Sequence, residues 1–73
     1  MNLERLNLEN ADLQGADFSY ATLYQVILRG ANLRGAKFCK SNLREADLRG
    51  TKLEEADLTG ANLDGTIYAS GTT

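Results

Sequence analysis

The chain has 73 residues, 42% hydrophobic and 25% charged, with 8 Lys+Arg against 10 Asp+Glu, no His, no Pro and one Cys. That length bounds one small domain whose core supplies only a few kcal/mol, and the single Cys39 excludes an internal disulfide, so some other device must hold the fold. The net charge of −2 excludes steering to nucleic acid or anionic lipid by total charge, and the longest apolar run, Val26-Ile27-Leu28, is far short of the ~20 residues of a membrane span; a soluble, cytoplasmic chain with no membrane partner is expected.

Along the chain the large apolar residues fall at Leu3, Leu8, Leu13, Phe18, Leu23, Leu28, Leu33, Phe38, Leu43, Leu48, Leu53, Leu58, Leu63 and Tyr68, a period of five. On a helix, steps of five would smear them around the cylinder, and in a flat strand they would alternate between the two sides, so neither template yields an apolar face. The rest of each unit is as regular. Two residues before the large one stands a small residue, as at Ala11, Ala31, Ala46 and Ala61, with Ser41, Thr51 and Thr66 as substitutes. One residue before it stands a turn-prone Asn or Asp, as at Asn2, Asp12, Asn32, Asp47 and Asn62. Two residues after it come Gly15, Gly30, Gly35, Gly50, Gly60 and Gly65, where glycine supplies the positive φ of a type II turn. A chain that turns every five residues and always points one large and one small residue inward coils around an apolar axis and stacks on itself, giving parallel ladders about 4.8 Å apart. A leucine-rich solenoid fails because the Leu6 spacing never recurs with a period of 20 to 29.

The units Ala11-Asp12-Leu13-Gln14-Gly15, Ala31-Asn32-Leu33-Arg34-Gly35, Ala46-Asp47-Leu48-Arg49-Gly50 and Ala61-Asn62-Leu63-Asp64-Gly65 resemble the pentapeptide-repeat family, with its A(D/N)LxG-type unit. The resemblance spans residues 1–70 in fourteen consecutive units, leaving a tail at 71–73. It implies an all-β fold, a right-handed quadrilateral parallel β-helix with one unit per side, twenty residues per coil and about three and a half coils. It also implies little about activity, and a cyanobacterial or plastid compartment as the setting. Charge tests the number of sides. At a spacing of twenty, Glu9 with Arg29, Asp17 with Lys37, Lys37 with Asp57, Arg34 with Glu54 and Arg44 with Asp64 are opposite pairs, and Arg29 with Arg49 is alike. A spacing of fifteen is dominated by like pairs, whereas twenty-five is as favourable as twenty; Phe18 and Phe38, twenty apart, favour four sides.

An enzyme is not expected: there is no His, no phosphate-binding loop, and the glycines are spaced for turns. Neither a cofactor nor a metal is expected, since the Gly-Gly-x-Gly-x-Asp pattern of calcium-binding rolls is absent. Cys39 should be a free, solvent-facing thiol beside Lys37 and Lys40, cations that would lower its pKa. Some pentapeptide-repeat proteins mimic duplex DNA and act on topoisomerases such as gyrase. Such mimicry is disfavoured here by a reach of about 17 Å at about 4.8 Å per coil, and by a basic waist at Arg29, Arg34, Lys37, Lys40, Arg44 and Arg49.

There remains a non-catalytic structural or protein-interaction module that offers flat faces to a protein partner, with no nucleic acid involved. Its candidate contacts are Tyr20, Tyr24 and Ile27, all at outward positions. Solenoids usually need polar caps, and no plug precedes Leu3 or covers the last coil. The expectation is therefore an end-to-end homodimer formed through Leu53, Leu58, Leu63 and Tyr68.

Overall fold

Each five-residue unit closes with the same turn throughout residues 1–67, the part of the chain that the computed structural model describes. The carbonyl of the central large residue accepts the N–H three positions on, as in Ala11 N–H to Leu8 O at 3.1 Å, Ala31 to Leu28 at 2.9 Å and Ala61 to Leu58 at 3.0 Å. The third residue of the turn has positive φ at every fifth position from Arg5 to Gly65, which is the type II geometry that the glycines predict. Seven of these corners are not glycine: Arg5, Asn10, Tyr20, Gln25, Lys40, Glu45 and Glu55 hold φ between 57° and 65°. A left-handed L-residue costs about 1–2 kcal/mol. The bend there is imposed by stacking on the adjacent coils rather than by local preference.

Stacking is parallel and in register. Bridges join Asn2 to Thr22, Thr22 to Asn42 and Asn42 to Asn62, and likewise Asn7–Ile27–Asp47–Ile67, Asp12–Asn32–Lys52 and Asp17–Lys37–Asp57. Every bridge spans twenty residues and the bridges form four rows, so the coil has four sides, which decides between the two coil lengths that charge left open. Thr22 N–H donates to Met1 O at 2.8 Å while Leu3 N–H donates to Thr22 O at 2.8 Å, and this pair of bonds recurs from row to row. We number the faces by their bridge rows: the first contains Asn2, the second Asn7, the third Asp12 and the fourth Asp17.

The interior follows from the inward pair of each unit. Leu23, Leu28, Leu33, Phe38, Leu43 and Leu48 are fully buried, with Ala21, Ala31, Ala36 and Ala46 filling the space beside them. Phe18 and Phe38 stack at 5.2 Å between ring centroids and 17° between planes, the contact that their twenty-residue separation predicts. Burying a side chain of this size contributes about 1.5–3 kcal/mol, and the repeat delivers one per unit.

Two local devices keep polar groups satisfied. The Asn or Asp before the large residue accepts the backbone N–H two positions on, as in Asn2 from Glu4 at 3.1 Å, Asn7 from Glu9 at 3.0 Å, Asp17 from Ser19 at 2.9 Å and Asn62 from Asp64 at 3.1 Å. That bond explains why a residue type poor in strands occupies a bridge position. Where Ser or Thr replaces the inward Ala, the hydroxyl donates to the carbonyl three residues back: Ser41 to Phe38 O at 2.9 Å and Thr51 to Leu48 O at 2.9 Å. Among the described residues no buried side-chain polar atom lacks a partner.

Candidate interaction faces

With the interior filled by hydrocarbon, the chemistry of the chain lies in the outward rows. On the corner between the first and second faces, Arg5 Nε donates to Gln25 Oε1 at 3.0 Å and Gln25 Nε2 donates to Glu45 Oε1 at 3.1 Å, a ladder one residue per coil. Beside it the Arg5 and Arg44 guanidiniums lie 6.0 and 5.9 Å from the centroid of the Tyr24 ring. Cation–π attraction at that range holds a half-buried ring in place. Of the sequence-proposed contacts, Tyr24 is therefore engaged within the chain. Tyr20 stands on the opposite edge of the first face, 71% exposed on a left-handed corner. The two tyrosines flank one face, and Ile27 belongs to the next, half-buried in the second row.

That second row carries the main electrostatic feature. Asp47 lies between Ile27 and Ile67, only 8% exposed despite its outward position. Its Oδ2 takes Nη2 of Arg29 at 2.8 Å and Nη2 of Arg49 at 2.7 Å. The Arg49 hydrogen bonds hold the carboxyl far below the ordinary carboxylate range, with Arg29 assisting, against a burial that pulls the other way. The like-charged Arg29 and Arg49, the one unfavourable pair in the twenty-residue register, are thus reconciled by a shared anion. Arg29 turns to Asp47 at this 2.8 Å contact rather than to Glu9. On the third face Arg34 Nε meets Glu54 Oε2 at 2.7 Å, as the charge register expects, and lowers the Glu54 pKa.

The fourth face corrects the expectation for Cys39. The thiol is half-buried, and its pKa is raised, not lowered: the hydrogen bond to the Asp57 carboxylate is the largest cause, followed by desolvation. Asp17 and Asp57 are instead lowered, chiefly by hydrogen bonds from Ser19 and Thr59 respectively, with Lys37 adding a smaller attraction to both.

The basic waist is also redistributed. Arg44 belongs to the first face, Arg29 and Arg49 to the second, Arg34 to the third and Lys37 to the fourth, with Lys40 on a corner. Three of the arginines are paired with carboxylates. No single basic surface results from that band.

Of the residues proposed for end-to-end association, Leu53 is buried, Leu58 and Leu63 are half-buried, and Tyr68 and the tail at 71–73 lie outside the described residues. Among the described residues the exposed aliphatic side chains are Met1 and Leu6 in the first coil and Ile67 in the last. The clustering at Asp47 was missed from sequence, although Arg29 and Arg49 were visible as a misfit in the charge register.

These features define a parallel β-solenoid with a hydrocarbon interior and independent polar faces. The family model for pentapeptide repeats (8 copies) matches residues 1–30 and 31–67. The chain belongs to the pentapeptide-repeat family. It is similar in structure to Rfr23, a pentapeptide-repeat protein from the cyanobacterium Cyanothece 51142, with a TM-score of 0.91 and 39% identity over 93% of this chain and 47% of that one. It is also similar to HetL, a pentapeptide-repeat protein involved in heterocyst differentiation regulation from the cyanobacterium Nostoc sp. strain PCC 7120, with a TM-score of 0.52 and 28% identity over 96% of this chain and 41% of that one. The chain spans less than half the length of either relative. No curated protein sequence matches it.

Proposed function

We propose that the chain is a non-catalytic protein-interaction module, built on a right-handed quadrilateral β-helix of about three and a half coils, that presents its flat faces to a protein partner. One observation carries this: every inward position of the middle coils is closed with Leu, Phe, Val, Ala, Ser or Thr, and every charged side chain stands in an outward row. Function in such a chain is exerted by faces, where rows set by the backbone at fixed spacing display side chains already in place. Membership of the family, whose members are structural repeat proteins, supports the same conclusion. Mimicry of DNA has less support, because a mimic needs an acidic rod and the band from Arg29 to Arg49 places arginine or lysine on all four faces.

The test is chemical cross-linking of the bait protein in extract from its source, with the wild type compared with a variant carrying Tyr20→Ser and Ile27→Ser. A face-specific partner is captured by the wild type and lost from the variant while the circular dichroism of the variant is unchanged. Turnover of any substrate by the purified chain, or capture that ignores both substitutions, would overturn the assignment.

A further inference from the structure

The second face sets a cationic triad beside a half-buried Ile27 and an exposed Ile67. Arg29 binds Asp47 through Nε at 3.2 Å and Nη2 at 2.8 Å, Arg49 through Nε at 2.9 Å and Nη2 at 2.7 Å, and the Arg49 backbone N–H adds a bond at 3.2 Å. These five donors saturate a carboxylate that offers about four lone-pair directions. The triad keeps one unit of positive charge, and its burial is lopsided. The Asp47 side chain is 11% exposed, whereas those of Arg29 and Arg49 are 48% and 43% exposed. Solvent therefore meets the guanidiniums, not the carboxylate. Each uses Nε and Nη2 on Asp47, and neither Nη1 has a partner among the described residues. In the same row stand Ile27 on one side and Ile67 on the other, the latter 46% exposed.

We propose that the second face is the docking surface for an acidic protein segment, with a partner carboxylate taken by the outward edges of Arg29 and Arg49 and a neighbouring aliphatic side chain resting on Ile27. The occupant follows from charge complementarity. The triad is positive, and Glu9 at the far end of the row is the other charge on this face, so an acidic segment is drawn to the Arg29–Arg49 edge. Pre-organisation adds to this. Both guanidiniums are already fixed by Asp47, so a partner need not order two long side chains on binding. Arginine is also among the residues in which binding energy concentrates at protein interfaces. This inference rests on the interaction-module function above and names the face and the chemistry of its partner.

The experiment titrates ¹⁵N- and methyl-labelled full chain with an alternating Leu-Glu heptapeptide, its Leu-Gln counterpart, inorganic phosphate and a short DNA duplex, all at one ionic strength. The expected result is a saturable shift of the Arg29 and Arg49 Nε–H signals and of the Ile27 methyls with the Leu-Glu peptide, at least tenfold weaker with Leu-Gln and unsaturated with phosphate. Arg34→Gln leaves the response unchanged, and Ile27→Ser weakens it several-fold. An equal response to phosphate would reduce the face to a simple oxyanion site, and tighter binding of the duplex would make it a nucleic-acid surface; either overturns the proposal. Second-face signals that move on dilution without peptide would assign it to a second copy of the chain. A peptide response centred on Tyr20 and Tyr24 would overturn the choice of face and leave the interaction function standing. No response of any outward signal at millimolar peptide would count against both.

Discussion

Replacing Asp47 by Asn keeps the shape of the side chain and its acceptor for the Arg49 backbone N–H, but removes the charge and turns one acceptor oxygen into a donor facing two guanidiniums. Hydrogen bonds to charged groups contribute about 1.5–3 kcal/mol each. The full sum does not apply, because the released guanidiniums are nearly half exposed and regain water. A loss of about 2–3 kcal/mol is expected, or roughly 8–24 °C in Tm for a domain of this size. Proton linkage gives a second, independent signature. The folded-state pKa of Asp47 is depressed, so the contribution is fully present above the unfolded carboxylate value of about 4 and is lost as pH falls through the lower folded value. Below about pH 4 the wild type should lose its advantage over the variant by up to about 1.4 kcal/mol per pH unit. Thermal melts followed by circular dichroism at pH 7, 4, 3 and 2.5 measure both effects. Equal Tm values at pH 7, or a gap at pH 2.5 as wide as at pH 7, would refute the buried-anion account.

Leu33→Ala, at a position with no solvent exposure in the middle of the stack, should cost about 2–5 kcal/mol in urea unfolding, because neighbours on both sides prevent collapse around the cavity. By contrast Glu54→Gln, which breaks the solvent-screened pair with Arg34, should leave the urea midpoint almost unchanged. Glu55→Gly relieves a left-handed corner at φ 63° and should stabilise by about 0.5–1 kcal/mol once the added freedom of the unfolded chain is counted. Gly15→Ala, with open space around the new methyl, should cost about 1–2 kcal/mol from backbone conformation alone; Gly30→Ala should cost more, since its methyl would meet the Asn10 side chain. For Cys39, native-state labelling at pH 8 should be slow and several-fold faster after Asp57→Asn, because the carboxylate that raises its pKa is gone.

The inward half of the structure was legible because each unit devotes one large and one small residue to it, and Phe18 over Phe38 is a direct consequence of that beat. The outward half was legible only along the vertical rows. Counting by twenty finds Arg34 with Glu54 but misses Arg29 with Asp47 and Cys39 with Asp57, both eighteen apart. The offset has a simple origin. The residue after the large one and the residue before it in the next coil project from the same face on a diagonal, and a long side chain spans that diagonal as readily as it reaches the residue above. Lys37 and Lys40 flank Cys39 in sequence, yet the diagonal neighbour sets its acidity. The corners at Gln25 and Glu45 were hidden for a different reason: nothing in their side chains favours positive φ, and only the stacked register forces it.

The division between inward and outward positions also explains why the faces are free to differ. A bridge residue contributes its backbone to the stack whatever its side chain, so Thr22, Ile27, Asn32 and Lys37 all occupy equivalent positions in one coil. Selection on a partner can therefore rewrite a face without disturbing the interior, and the fold constrains function only through spacing and flatness. Asp47 is the exception: it stands outward yet is buried, and it fixes two arginines whose solvent-facing edges remain available. At that point in the solenoid the stability of the coil and the chemistry of the surface depend on the same carboxylate. Any partner that exploits Arg29 and Arg49 meets donors that the fold itself has oriented.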